Sequence, residues 1–320
     1  MEENLPTKMH YNLDFKGKGD SFFKIVIVNW LLTIVTLGIY YPWAKAKTLQ
    51  FIFGQTTLNE DPFKFHGTGN EMFKGFIKAI LLFVCFLAIA GAIVYFFELP
   101  ILGLLSFYLA VIAILPLAIH GSYRYRMSRT SWRGIRFGYR GDRNEFIKLF
   151  FKWVFFTIIS LGLYGSWFKM NLRSYVLSNV RFGNAELNYE GDGGDYLVLN
   201  IKGYFLSVIT LGIYSFWWQK DIFEYYVDNL SLHKENKSIQ FNSTATGVDF
   251  MGLILVNFLL IIFTLGLGYA WVVTRTMKFI FDHIELDGNI DLDTLHQTED
   301  NFKDATADDI SDFLDIDFIV

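Results

Sequence analysis

A five-residue stretch, Thr36-Leu37-Gly38-Ile39-Tyr40, is copied along this chain, each time at the end of a long apolar run. It returns as Ser160-Leu161-Gly162-Leu163-Tyr164 and as Thr210-Leu211-Gly212-Ile213-Tyr214. A fourth copy, Thr264-Leu265-Gly266-Leu267, reaches its tyrosine one residue late, at Tyr269. In all four a tryptophan lies seven residues after the Ser/Thr: Trp43, Trp167, Trp217 and Trp271. A motif at a fixed place in successive segments means that one supersecondary unit has been multiplied.

Shifted by 124 residues, Thr36–Gly69 overlies Ser160–Gly193 without a gap, matching Lys45 to Lys169 and Phe65 to Tyr189. A shift of 228 brings Asn29 onto Asn257, and a shift of 74 brings Pro42 onto Pro116. Five units follow, about 9–67, 68–141, 142–191, 192–243 and 244–293. In each, an acidic or amide residue (Asp20, Asn70, Asn144, Asp195, Asp249) stands where a helix N-cap is expected. An apolar helix, the motif, a second helix rich in aromatics and bases, and a short alternating hairpin complete the unit. Asp287-Gly288-Asn289, flanked by His283–Leu286 and Ile290–Leu292, gives the strongest hairpin signal. Since two-stranded hairpins are marginal alone in water, the repeated hairpins are expected to pair into one small sheet.

Composition places the helices in lipid. Of 320 residues, 52% are hydrophobic, 18% aromatic and only 19% charged, and the runs Phe76–Phe97 and Ile101–Ile119 are nearly uncharged. The expected fold is an α-helical integral membrane protein with repeated helix–helix–β-hairpin units, the hairpins forming a sheet outside the bilayer. Residues 1–290 make the membrane domain, and 291–320 an acidic, mobile tail in which six aspartates after residue 303 oppose Lys303. Met1–Asp20 lacks the basic-then-apolar order of a secretory signal. Cys85 stands alone, without a disulfide framework.

Two arrangements in the membrane fit these patterns. In one there are six single crossings, about 21–39, 75–97, 101–120, 146–164, 201–214 and 251–271. In the other the copied motif is the tip of a helical hairpin, as Glu98-Leu99-Pro100 is in the longer second unit, and every β-hairpin returns to one face. The basic run Arg124–Arg143 is expected to be cytoplasmic in both.

Phe15-Lys16-Gly17-Lys18-Gly19, Ile27–Thr33, Thr36–Lys45 and Phe65–Glu71 resemble the YjgN-like bacterial inner-membrane proteins, also called the domain of unknown function 898 family. The resemblance extends to about residue 285. It implies a multi-pass protein of the bacterial inner membrane and supplies no activity, ligand or catalytic residue.

Candidate functional residues are correspondingly few. Gly17-Lys18-Gly19 and Gly67-Thr68-Gly69 lack the spacing of phosphate-binding loops. The six histidines never pair at i, i+4, and no nucleophile–base constellation can be assembled. No enzyme, cofactor, metal site or nucleic-acid partner is therefore expected. The lipid bilayer is the expected partner, together with a protein partner at the hairpins or acidic tail; the oligomeric state is open. Asn29 and Asn257, equivalent polar residues in apolar runs, read as hydrogen-bonding glue between helices. If the units close into a ring, they read instead as a polar pathway with Lys45, Lys169, Arg173 and Arg275. Trp43, Trp167, Trp217 and Trp271, with Tyr40, Tyr164 and Tyr214, read as a membrane-interface belt. Arg124, Arg126 and Arg129 read as contacts to lipid headgroups or to the acidic tail. The first expectation for function is a transporter or channel. The rival is a non-conducting scaffold or envelope-assembly partner.

Overall fold

The computed structural model describes residues 9–298. Helices α1 (Gly19–Val35) and α2 (Tyr41–Gln55) precede strands β3 (Thr56–Leu58) and β4 (Asp61–Phe65). The same order recurs in α3 (Gly69–Phe97), α4 (Pro100–Ser128), β5 (Thr130–Trp132) and β6 (Ile135–Tyr139). It recurs again in α5 (Arg143–Ile159), α6 (Gly165–Ser178), β7 (Val180–Phe182) and β8 (Ala185–Tyr189). Next come α7 (Gly193–Ile209), α8 (Ser215–Asp228), β9 (Leu230–Lys234) and β10 (Lys237–Ser243). The chain continues through α9 (Gly247–Phe263), α10 (Tyr269–Asp282) and β11 (Ile284–Gly288). Two short strands, β1 (Met9–Tyr11) and β2 (Leu13–Phe15), stand before α1.

The copied motif is a helical-hairpin tip. Leu37 and Gly38 take positive φ values of 50° and 90°, reversing the chain between α1 and α2. Thr36 holds the reversal at both ends. Its hydroxyl donates to the Leu32 carbonyl at 2.7 Å and accepts from the Tyr40 amide at 3.0 Å. Ser160 likewise accepts from Tyr164, Thr210 from Tyr214, and Thr264 from Gly268. The four tip leucines, Leu37, Leu161, Leu211 and Leu265, are 94%, 95%, 94% and 93% exposed, so none of the described residues covers them.

The helix starts correct one expectation. The caps are Thr68, Asp142, Asp192 and Thr246, whose side chains accept amides of the first turn. Asp20, Asn70, Asn144, Asp195 and Asp249 lie inside the helices. Asp249 is the third residue of a capping box, where a carboxylate bonds back to the cap amide.

All strands join one antiparallel sheet in the order β1-β11-β10-β9-β8-β7-β6-β5-β4-β3-β2. Its two edges, β1 and β2, are separated in the chain by Asn12 alone, so the N-terminal stretch closes the sheet into a ring. The helices close with it. Each packs on the next along the chain, and α10 packs on α1. Six alternating single crossings are thereby set aside, because strands from every segment meet on one side. Among the described residues only α3 and α4, 29 residues each, are long and apolar enough to cross a membrane; α9 is apolar but shorter.

The last hairpin is corrected too. β11 pairs with β10 on one side and β1 on the other, so the strand expected from Ile290–Leu292 is supplied by Met9–Tyr11. At Gly288 a Cβ would lie 2.2 Å from the Ser238 carbonyl oxygen. From there the chain turns into the ring. Ile290, Leu292 and Leu295 join the buried core with Tyr11, Trp132, Phe182 and Leu232. The boundary drawn at residue 290 therefore falls inside a seated segment: Tyr11 Oη donates to the Ile290 carbonyl, Arg133 pairs with Asp293, and Thr298 Oγ1 donates to the Gly183 carbonyl at 2.7 Å. The tail aspartates from Asp304 to Asp317 lie outside the described residues.

Candidate functional site

A chamber of about 860 Å³ lies where the ring of helices meets the ring of strands. Its sheet end is walled by Leu58, Phe137, Phe182, Leu232 and Leu286, with Leu292 of the seated segment among them. Its helix end is walled by Asn29, Trp30 and Thr33 of α1, Ala44, Lys45 and Thr48 of α2, and Tyr269 and Val273 of α10. Arg126 of α4 stands near the junction. Among the described residues the lining contains two cationic side chains, Lys45 and Arg126, and no carboxylate. Ala46 and Tyr125, their neighbours in sequence, share one buried cluster with Phe65 and Met72.

The structure divides the expected polar pathway. Asn29, 4% exposed, lines the chamber and donates from Nδ2 to the Ala44 carbonyl at 3.2 Å, while its Oδ1 is buried without a partner. Asn257 donates to Thr276 Oγ1 at 3.1 Å, tying α9 to α10, and is not part of the lining. Both asparagines thus bond across their own helix pair. Lys169 points its ammonium at Tyr196 Oη, 2.8 Å away, and lies over the rings of Tyr196 and Tyr226. Arg173 stacks on Tyr226 at 4.1 Å and on Tyr189 at 5.1 Å. These cation–π contacts occupy the space between α6, α7 and α8, away from the chamber. Arg275 is exposed on α10 and outside the lining.

The tryptophans do more than sit among aromatics. A Cβ built on Gly69 would meet Trp43 Cδ1 at 2.3 Å; Gly193 meets Trp167 at 2.4 Å, Gly247 meets Trp217 at 2.3 Å, and Gly19 meets Trp271 at 2.2 Å. Each indole therefore lies flat on the first residue of the next segment's first helix, and the last lies on the first. Tyr40, Tyr164 and Tyr214 stack on Trp43, Trp167 and Trp217 at 5.9–6.4 Å. At the one junction without the tryptophan, Leu117 stands at its place and Arg143 replaces the glycine. There His120 donates from Nε2 to the Gly141 carbonyl at 2.9 Å and packs on Phe146.

Of Arg124, Arg126 and Arg129, read as contacts to lipid headgroups or to the acidic tail, Arg129 turns inward, and the tail itself lies outside the described residues. Arg129, with its side chain 13% exposed, bonds Glu71 through two nitrogens at 3.1 and 3.3 Å, and Tyr125 Oη donates to the same carboxylate at 3.0 Å. Arg126 faces the chamber, and Arg124 is half-buried. Periodicity could not find this, since the acid is 58 residues from its base in sequence. On the strand side, burial and the charges of Arg136, Lys64 and Arg129 hold the His66 imidazole below its usual pKa, while its Nε2 bonds Ser131 Oγ at 2.8 Å.

Comparison with known proteins then places the chain. A model described as "Bacterial protein of unknown function (DUF898)" matches residues 10–190, 184–237 and 219–313. The chain belongs to this family. It is 37% identical over 142 residues to "Inner membrane protein YjgN" of Salmonella typhimurium, covering 44% of this chain and 34% of that protein. The protein of the same name from Escherichia coli K12 is 30% identical over 132 residues, covering 41% and 32% respectively. The chain thus spans about a third of the length of the curated relatives it matches. No solved structure matches it. These relatives, with the two long apolar helices, support a membrane protein of the bacterial inner membrane.

Proposed function

We propose that this DUF898 chain is a multi-pass inner-membrane transporter built from five repeated units, moving a solute through the chamber on its ring axis. The observation that carries this reading is the chamber of about 860 Å³ inside the closed ring, lined by α1, α2, α4 and α10 together with residues of the sheet. A bundle built only to anchor a platform has no need of an internal space. The exposed apolar helix faces, from Leu31, Ile34 and Val35 to Ile262 and Phe263, suit lipid as their solvent. The three overlapping stretches matched by one family model suit repetition. With the sheet and the segment Arg124–Arg143 in the cytoplasm, α3 and α4, about 43 Å long at 1.5 Å per residue, cross fully. The four shorter hairpins, their longer arms about 26 Å, carry their leucine tips deep into the bilayer.

Ile290, Leu292 and Leu295 are buried in the core of the sheet, and this reading takes that arrangement as a closed state. The test is solute flux in reconstituted vesicles. Flux above protein-free vesicles that changes with Lys45→Ala, while Lys169→Ala leaves it near wild type, supports transport through the chamber. The second reading, a non-conducting scaffold, draws on the filled sheet end. It predicts vesicles no leakier than controls and loss of a co-purified partner when 301–320 is deleted.

A further inference from the structure

We propose that the chamber holds one uncharged single-chain lipid, its hydrocarbon chain in the sheet interior and a hydroxyl head at Asn29. The inference goes beyond the transport reading: it concerns what occupies the chamber and does not need flux through it. Leu58, Phe137, Phe182, Leu232 and Leu286 wall the sheet end with aliphatic and aromatic surface, which desolvates an apolar chain at no polar cost. Toward the helices the polar groups of the wall are already engaged. Thr33, Thr48, Thr56 and Thr130 each donate to a backbone carbonyl one helical turn back, at 2.7–3.0 Å, and Tyr11 donates to the Ile290 carbonyl. Lys45 and Arg126 hold interactions of their own within the chain, so the site asks no counter-charge of a ligand. Among the described residues no carboxylate lines the chamber, which leaves an incoming cation nothing to pair with. What the wall leaves open is an acceptor. Asn29 is 4% exposed, and its Oδ1, buried without a partner, is the one such atom on a lining residue among the described residues. A buried acceptor without a donor is costly, and a hydroxyl carried in on a hydrocarbon chain supplies the donor; an ionised carboxylate head has only acceptors. Pockets of about 300–1,000 Å³ bury most of a drug-sized ligand; 860 Å³ suits one chain and its head rather than a two-chain lipid.

Two sources share this chemistry, a long-chain alcohol and a monoacylglycerol. Native mass spectrometry of the full chain, released from a neutral detergent in mildly alkaline buffer and titrated with hexadecanol or monopalmitoylglycerol, distinguishes them. One saturable copy of either supports the inference, and the tighter one names the source. Hexadecyl methyl ether, the same chain without a donor, should bind about tenfold more weakly than hexadecanol. Asn29→Leu should bring alcohol and ether to equal affinity, a readout that lost packing alone would not give. Leu232→Trp and Met277→Trp, each filling the chamber from a different wall, should abolish binding. Circular dichroism and the melting temperature verify that each variant is folded; were Leu232→Trp to unfold, Met277→Trp carries the same test. Ether or palmitate bound as tightly as hexadecanol, many non-saturating copies, or a two-chain diacylglycerol displacing hexadecanol would each overturn the inference. So would uptake that begins only when 301–320 is deleted. Flux of a polar solute with no alcohol bound contradicts this inference alone. One bound copy in vesicles no leakier than controls supports it and contradicts the transport reading alone.

Discussion

Trp271 donates its indole N–H to the Asp20 carboxylate at 3.1 Å across 251 residues of sequence, and its ring lies on Gly19. The contact repeats the one between Trp43 and Asn70, 3.0 Å apart, with Gly69 beneath the ring. The bond that joins the first segment to the second thus also joins the last to the first. Ring closure needs no special device among the helices; it reuses the junction already present.

The junction gives a sign test. Gly→Ala within a helix ordinarily stabilises by about 1 kcal/mol, as expected for Gly252→Ala, where nothing lies within 4 Å of the new methyl. Gly69→Ala and Gly193→Ala drive the methyl into an indole and the tryptophan's own backbone, and overpacking costs about 1–3 kcal/mol. Thermal unfolding in detergent should show melting temperatures falling for the junction variants and holding or rising for Gly252→Ala.

Glu71 serves three partners at once: the Thr68 cap, Tyr125 and Arg129. Glu71→Gln keeps the shape but leaves the Arg129 guanidinium short of its counter-charge. The expected loss is on the order of 2 kcal/mol, read as a lower denaturation midpoint. Removing both, as Glu71→Gln with Arg129→Met, should cost less than the sum of the single changes.

The depressed pKa of His66 sets a pH dependence. A base whose folded pKa lies below its unfolded value stabilises the fold fully above the unfolded pKa, about 6.5, and that stability is lost as pH falls through the folded pKa. Burial is the first cause, followed by Arg136, Lys64 and Arg129. Melting temperature should therefore decline below about pH 6.5, and His66→Gln should shallow the decline. An equal slope in the variant would remove His66 as its source.

The seated segment is held by apolar burial and by its ends. Leu292 and Leu295 are each 6% exposed, so replacing either with Ala should cost about 2–5 kcal/mol if the segment stays in place. Release is the cheaper response, and the double variant should expose 289–298 to limited proteolysis in detergent. The wild-type segment should resist.

How much of this could be read in the sequence depends on the range of the contact. The tip at Thr36–Tyr40 was legible because its glycine, its hydroxyl and its flanking apolar runs are local. The socket was not: Trp43 and Gly69 are 26 residues apart, and a tryptophan beside an apolar run reads equally well as an interfacial anchor. Met9–Tyr11 carried too short an alternation to announce that it completes the last hairpin. Ile290–Leu292 alternates as a strand does, yet it packs inward because β1 already occupies the edge of β11. Lys45 and Lys169 are equivalent by repeat, yet Lys45 lines the chamber while Lys169 lies over the rings of Tyr196 and Tyr226.

The central claim is that every β-hairpin lies on one face of the membrane. In a Cys85→Ser background, single cysteines at Glu60, Asn184 and Glu235, one in each of three strand turns, should react with an impermeant maleimide only from the cytoplasmic side in oriented vesicles. A cysteine at tip residue Leu161 should stay unlabelled from that side. Strand turns labelled from opposite faces would contradict the ring.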